Sequence, residues 1–244
     1  MIEDLNKKQE VGTLFIVATP IGNLEDLTLR ALRILKEVDA IACEDTRVTS
    51  KLLSHYSISK PLVSLHQHSG KVQFDKIIAQ LLEGKSLAYC SDAGTPGVSD
   101  PGNQLVEEAI NKDIAVVPIP GVSALTSLIS VAGIDMQTFS FLGFPPHKKG
   151  RETFFKKVVE TETPIIYYDS PHRVIKNLEL LKKMTMQIKD VSDLSAGTFG
   201  PQIIIGRELT KMFEEIVRGN INDVAKYFEA NPVKLKGEFV VIVY

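Results

Sequence analysis

Apolar residues fall in short runs that alternate with stretches of helical spacing. Leu14–Ala18 (LFIVA) is a five-residue apolar run closed by Thr19-Pro20. A proline holds the residue before it extended, so the run is predicted to be a buried strand. Beyond it Leu29, Leu32, Ile34, Leu35 and Val38 recur near the helical period, with Asp26 placed as a cap before Thr28; this predicts a helix. The unit then repeats. Strands are predicted at Ala40–Cys43, Leu62–Leu65, Leu87–Cys90 and Ile114–Pro118, and helices from about Thr49 and at Phe74–Glu83, Gln104–Asn111 and Val122–Val131. Strands that alternate with helices imply a mostly parallel sheet covered on both faces.

The alternation is interrupted at Gly133–Gln137 and resumes as a second series. Its strands are Phe139–Gly143, Pro164–Tyr168, Gln202–Gly206 and Glu238–Tyr244, and its helices are Arg151–Glu160, Arg173–Met184 and Asn222–Ala230. The expected organisation is a polar tail at 1–11, an N-terminal α/β domain at 12–133 and a C-terminal α/β domain at 134–244. Both sizes suit independent cores, and both sheets are expected to be mostly parallel. Asp190–Gly200 (DVSDLSAGTFG) has turn composition and is predicted to be a loop.

Composition narrows the class. Of the 244 residues, 44% are hydrophobic and 24% charged, the balance of a globular protein. No run approaches the roughly 18 apolar residues of a membrane span, and the first ten residues hold no signal-peptide core. The expected location is the cytoplasm, with no membrane partner. Cys43 and Cys90 are too few for a disulfide framework and suit small core positions. The net charge of −2 is not that of a dedicated nucleic-acid binder. The halves differ, however. Residues 1–133 hold 12 basic and 16 acidic side chains, and residues 134–244 hold 16 and 14, so a polyanion should meet the second half first.

The unusual residues cluster where predicted strands end. In open parallel sheets, ligands bind outside the carboxyl ends of the strands, where adjacent loops diverge. Those exits carry Thr19-Pro20-Ile21-Gly22-Asn23, Glu44-Asp45-Thr46-Arg47, Ser91-Asp92-Ala93-Gly94-Thr95-Pro96-Gly97 and Pro120-Gly121-Val122-Ser123-Ala124. In the second half they carry Asp169-Ser170-Pro171-His172-Arg173 and Arg207-Glu208-Leu209-Thr210-Lys211. No G-x-G-x-x-G follows the first strand and no G-x-x-x-x-G-K-[ST] is present, which argues against a Rossmann dehydrogenase and a P-loop NTPase. No nucleophile elbow is present. His66 and His68 lack further ligands nearby, so no metal is expected. Gly94-Thr95-Pro96-Gly97 is rigid and slim enough for its backbone to approach a ligand, and Asp92 before it is an acceptor for an amine or hydroxyl.

Taken in order, VATPIGNLEDLTLRA, EDTR, SDAGTPGVSDPG, PGVSA, YYDSPHR, GRELTK and KGE resemble the bacterial ribosomal RNA small-subunit methyltransferase I family. That family is the 2'-O-ribose branch of the tetrapyrrole methylase superfamily, and the resemblance spans roughly residues 12–244. It implies S-adenosyl-L-methionine as methyl donor, a cofactor cleft between two α/β domains and a homodimer. The implied substrate is a cytidine in the decoding region of 16S rRNA, within the 30S subunit. Carried over by motif, the cofactor contacts fall on Pro20, Ile21, Asp92, Gly94, Thr95, Ser123, Ala124, Tyr168, Glu208 and Glu238. The Asp190–Pro201 connection is longer than the family's usual one.

A ribose hydroxyl is a weak nucleophile, so methyl transfer needs in-line placement and a group to take the proton. Glu44 and Asp45 are the candidate bases, and Arg47 offers a fork for phosphate. These three charges are either paired with one another or open to a ligand, since burying them unpaired is costly. Asn23 and Lys211 are further exit residues that could face the ribose. Lys148, Lys149, Arg151 and Arg173 are the candidate RNA contacts. Two competing readings are a methyltransferase of this fold acting on a tetrapyrrole or protein, and a non-catalytic ribosome-binding factor.

Overall fold

The computed structural model describes residues 11–66, 69–98, 100, 102–188 and 200–244. The N-terminal tail, His68 and most of the predicted loop at 190–200 lie outside them. The chain forms two compact units, Met1–Ser123 and Ala124–Tyr244. This division falls ten residues before the break in the sequence pattern. The helix in between, α5 (Ala124–Ser130), groups with the second unit: its buried Leu128 lies against Gly206, and Arg218 donates to the carbonyl of Val131 just beyond the helix.

In the first unit, β1 (Thr13–Val17), β2 (Ala40–Cys43), β3 (Leu62–Ser64), β4 (Leu87–Cys90) and β5 (Ala115–Ile119) form one sheet in the order β3-β2-β4-β1-β5. Every pairing is parallel, as the alternation requires. β2 and β4 are buried at every position, as central strands covered on both faces must be. Pro118, which has no N–H for a ladder, sits in the edge strand β5, where one side needs no partner.

The helices divide between the faces. α1 (Leu29–Glu37) and α2 (Thr46–His55) bury Ala31, Leu35, Leu52 and Leu53 against Val17, Ile41 and Cys90. α3 (Lys71–Leu82) and α4 (Gly102–Ile110) bury Phe74, Ile77, Leu81 and Leu105 against Leu14, Ala42 and Tyr89. Neighbouring strands β1 and β4 therefore send the chain to opposite faces, which opens a crevice at their carboxyl ends. Capping of α1 differs from expectation. Thr28 is the cap, its side chain accepting from Ala31 N–H at 3.1 Å, while Asp26 lies in the short 3-10 turn Leu24–Asp26.

The second unit keeps the α/β class but corrects the expected strand direction. Its strands are β6 (Ser140–Phe141), β7 (Ile165–Asp169), β8 (Gln202–Arg207), β9 (Glu215–Asn220) and β10 (Phe239–Val243), in the order β6-β7-β10-β8-β9. Only β6 with β7 is parallel, while β10 runs antiparallel to both neighbours and β9 antiparallel to β8. β9 has no counterpart in the pattern of predicted strands. Its residues, EIVRGN, are half-buried on an edge and too polar to stand out. Helices α6 (Arg151–Glu160), α7 (Val174–Ile188) and α8 (Ile221–Ala230) cover the sheet, with Phe155, Leu178, Leu181, Val224 and Phe228 packed on Tyr167, Ile205 and Val241.

A polar pair, Asp169 and Asn177, is held inside this core. Asp169, 3% exposed at the end of β7, accepts from Asn177 Nδ2 of α7 at 2.9 Å through each oxygen, and from its neighbour's N–H, that of Ser170. Burial nevertheless keeps its carboxyl above the usual range. Asn177→Leu leaves that carboxyl short of a donor, so urea unfolding should show a loss of about 1–3 kcal/mol.

Candidate functional site

The loops leaving β1, β2, β4 and β5 are tied together by hydrogen bonds, and the β4 loop is the hub. Thr19 and Gly94 exchange backbone bonds of 3.0 and 2.9 Å, an isolated antiparallel bridge across the crevice. Thr19 Oγ1 also donates to Ser91 O at 3.1 Å, and Ser91 Oγ to Gly94 O at 3.2 Å. Thr95 Oγ1 donates to Val122 O at 3.3 Å, which joins the β4 loop to the β5 loop.

Small residues are required here by contact. Gly94 has φ +79°, and a Cβ on it would lie 3.3 Å from Ile21 Cγ2. A Cβ on Gly121 would lie 2.8 Å from that of Ala18, closer than side chains tolerate. Of the residues expected to hold a cofactor, the fold thus brings Pro20, Ile21, Asp92, Gly94, Thr95 and Ser123 to one end of the first sheet. Thr19 and Gly121, which lie in the exit runs but not among the expected cofactor contacts, belong to the same cluster. Their signal was present as a threonine before proline and a glycine after it.

On its other side the β4 loop meets β2. Cys43 and Cys90 are register partners, so Glu44 and Ser91 leave adjacent strands at the same level. Asp92 Oδ1 accepts from Asp45 N–H at 3.0 Å, and Asp92 N–H donates to Glu44 Oε1 at 3.3 Å. The two expected carboxylate candidates behave differently. Asp45 caps α2, accepting from Arg47 N–H at 2.8 Å, and its oxygens take the Arg47 guanidinium at 2.5–3.1 Å. Arg47 accordingly holds the Asp45 carboxyl down to about 2. Burial instead pushes Glu44 up, Asp100 and Asp92 add to that, and the Asp92 N–H only partly offsets it. Asn23, the other exit residue, spends its carbonyl on capping Glu25 N–H.

In the second unit, Tyr168, the last residue but one of β7, has its ring against Phe141 and Phe144, centroids 4.9 and 5.3 Å away. Glu208 follows β8 and Glu238 precedes β10. Because β10 is antiparallel, with Phe239 opposite both Arg207 and Asp169, its start lies level with the ends of β7 and β8. Glu208 N–H donates to Glu238 O, and Glu238 N–H to Glu208 Oε1, both at 3.0 Å. Lys211 Nζ bridges the two carboxylates at 2.9 Å each, so this lysine is engaged with the glutamates. Glu208 and Thr210 both have positive φ, +49° and +68°, where side chains other than glycine are strained. Buried Arg207 holds this loop through Lys236 O and Phe213 O.

The expected RNA contacts part company. Lys148 and Lys149 are exposed in the turn before α6, and Arg151 is its first residue. Arg173 is turned inward, with Nε on Ser170 Oγ at 3.0 Å and Nη1 on Pro145 O at 2.9 Å. Among the described residues, no group of three or more His, Cys, Asp or Glu is placed to hold a metal, and no helix is long and apolar enough to cross a membrane.

Comparison with known proteins gives these loops a context. The model of the family Tetrapyrrole (Corrin/Porphyrin) Methylases matches residues 13–225. A ribosomal RNA small subunit methyltransferase I of Halalkalibacterium halodurans is 42% identical over 99% of this chain and 78% of that protein. One of Leptospira biflexa is 42% identical over 96% of this chain and 91% of that protein. The chain belongs to the ribosomal RNA small subunit methyltransferase I family, within the tetrapyrrole methylases. Solved structures agree on the fold. A conserved hypothetical protein of Aeropyrum pernix K1 superposes with a TM-score of 0.71 at 15% identity, covering 96% of this chain and 84% of that one. A uroporphyrin-III-C-methyltransferase of Thermus thermophilus gives 0.63 at 18%, covering 95% and 94%.

In this member of the methyltransferase I family, the Lys211 bridge acts on the charge state of Glu208. Partial burial works against the Glu208 charge, but Lys211 and the Glu238 N–H outweigh it and hold its carboxyl below the usual range. A depressed carboxyl stabilises the fold above its unfolded value of about 4.3 and ceases to do so as pH falls through the folded value. Lys211→Met should therefore move the Glu208 carboxyl up and remove that acid-side loss of stability, as read by carbon NMR titration and melting against pH.

Proposed function

We propose that the chain is an S-adenosyl-L-methionine-dependent methyltransferase that 2'-O-methylates the ribose of a cytidine in the decoding region of 16S rRNA. It acts in the cytoplasm, on RNA of the 30S subunit, as a homodimer. The observation that carries this reading is the 42% identity, over nearly the whole chain, to proteins named ribosomal RNA small subunit methyltransferase I. The crevice between β1 and β4 supports it as the kind of place where an open parallel sheet takes a ligand.

The first unit fits the donor. Its loops run backbone-close at Gly94 and Gly121, where a Cβ would intrude, and Asp92 and Thr95 stand exposed beside them. Pro20, Ile21, Asp92, Gly94, Thr95 and Ser123 would hold the molecule from that unit. Ala124, Tyr168, Glu208 and Glu238 are assigned from the second unit by motif. When bound, S-adenosyl-L-methionine supplies a methyl group already activated by a cationic sulfur.

The remaining task is to place and deprotonate the acceptor hydroxyl. A base works best when its pKa lies near the working pH, and of the two candidate carboxylates Glu44 is the one shifted in that direction. One hydrogen bond links it to the Asp92 backbone. Asp45, held near 2 and locked to Arg47, is poorly suited to accept a proton. In this reading Asp45 and Arg47 position the start of α2, and with it Glu44.

Two measurements test the proposal. Mass-spectrometric mapping of small-subunit RNA from a strain lacking the gene should show the loss of one 2'-O-methylcytidine, restored by the wild-type gene; an unchanged methylation map would refute it. In single-turnover assays at saturating cofactor, Glu44→Gln should slow methyl transfer at least tenfold, or about 1.4 kcal/mol. Asp45→Asn should lower the melting temperature while the rate per folded protein is largely kept. The reverse pattern would move the base to Asp45.

A further inference from the structure

Helix α7 has two faces. Val174, Asn177, Leu178, Leu181 and Met184 are buried, whereas Lys176, Glu179, Leu180 and Lys183 follow one another at steps of three, one and three along the other side. That second side adjoins the start of α6, and together they line an open groove of about 660 Å³ that also includes Lys148, Lys149 and Arg151. Sequence spacing hides this set, because the two clusters are separated by most of α6 and all of β7.

The groove gathers five cations against two carboxylates, Glu152 and Glu179, in a chain whose net charge is −2. Glu152 lies 4.0 Å from Lys183. Lys148, Lys149, Arg151 and Lys176 form no ion pair among the described residues. Unpaired like charges at this density raise the local potential and attract a polyanion. Lys176 and Lys183 stand two helical turns apart, about 10 Å, so the charges are strung along the groove rather than gathered about one point. A ligand with regularly repeated charges fits that layout better than a single phosphate does.

The geometry points to this groove as a docking site for the phosphodiester backbone of RNA, carried by Lys176 and Lys183 together with Lys148, Lys149 and Arg151. The inference rests on the reading of the chain as an RNA methyltransferase and gives that reading a surface. Phosphate contacts of this kind fix the register of the RNA and leave base choice to the active site. Arg173 takes no part, since its guanidinium is bound to Ser170 and Pro145. A membrane surface suits the groove less well: its one large apolar side chain, Leu180, is half-buried and offers no anchor.

The test is binding of in vitro transcribed small-subunit rRNA across a salt series, beside methyl transfer to the same RNA. In Lys176→Ala/Lys183→Ala the slope of log affinity against log salt should become shallower by about 1.4–1.8, or 0.7–0.9 per lost contact. Glu179→Lys should tighten binding and steepen the slope by about 0.7–0.9. Both variants change exposed side chains, and their melting curves check the fold. Unaltered slopes in both variants, with wild-type methyl transfer intact, overturn the groove and leave the methyltransferase reading standing. Groove-dependent RNA binding without methyl transfer does the opposite. Loss of binding to phosphatidylserine vesicles in the double variant, with RNA binding unchanged, overturns the inference in favour of a membrane.

Discussion

The pair of backbone hydrogen bonds between Thr19 and Gly94 is the constraint on which the arrangement of the first unit's candidate site depends. β1 and β4 are neighbours whose chains leave for opposite faces of the sheet, so their loops would otherwise diverge. The bridge holds both loops across the opening, and the Ser91 and Thr19 hydroxyls brace it from beneath. Further contacts join the exits around it. Ile21 reaches Gly94, Thr95 reaches Val122, and Asp92 is left facing the β2 exit, where it meets Asp45 and Glu44. The cost is glycine at position 94, where φ is +79°, and at position 121, where a Cβ would lie 2.8 Å from that of Ala18.

Electrostatics then distinguishes carboxylates that look alike in sequence. Glu44 and Asp45 are adjacent, yet one is raised by burial and nearby acids while the other is lowered to about 2 by Arg47. The difference arises because Asp45 sits at a helix start, where its side chain faces the first-turn N–H groups and the guanidinium of its own helix. Glu44, one residue earlier, still belongs to the strand exit. Glu208 and Glu238 show the converse case, two carboxylates distant in sequence that share one lysine and become a single unit of charge.

Arg173 and Lys176 illustrate how position on an element decides what a cation can do. Arg173 lies in the turn before α7, and its guanidinium is drawn in to Ser170 Oγ and to Pro145 O of the loop before α6. Lys176 is one turn further along, on the side of α7 away from the core, and stays free to meet a ligand. A count of basic residues does not separate them. Only the turn of the helix does.

Much was legible in the sequence. Buried strands and amphipathic helices leave periodic signatures because each element must hide its apolar side, and the exits from β1, β2, β4 and β5 stand out because turn and polar residues gather there. Four of the seven motifs that carry the family resemblance lie at those exits and three in the second unit, so the family was legible in the residues alone, as was the gathering of unusual residues at the first unit's strand ends. Strand direction was not. A run such as FVVIV in β10, buried at every position, reads the same whether its neighbours run parallel or antiparallel, because burial on both faces carries no sense of direction. The antiparallel choice brings Glu238 level with Glu208 and Tyr168, and a parallel β10 would have put it at the opposite end of the sheet. Tertiary packing likewise decided that Lys176 and Lys183 join Lys148, Lys149 and Arg151, since which helix faces which is set by the fit of α6 and α7 on the sheet, not by any residue in either helix alone.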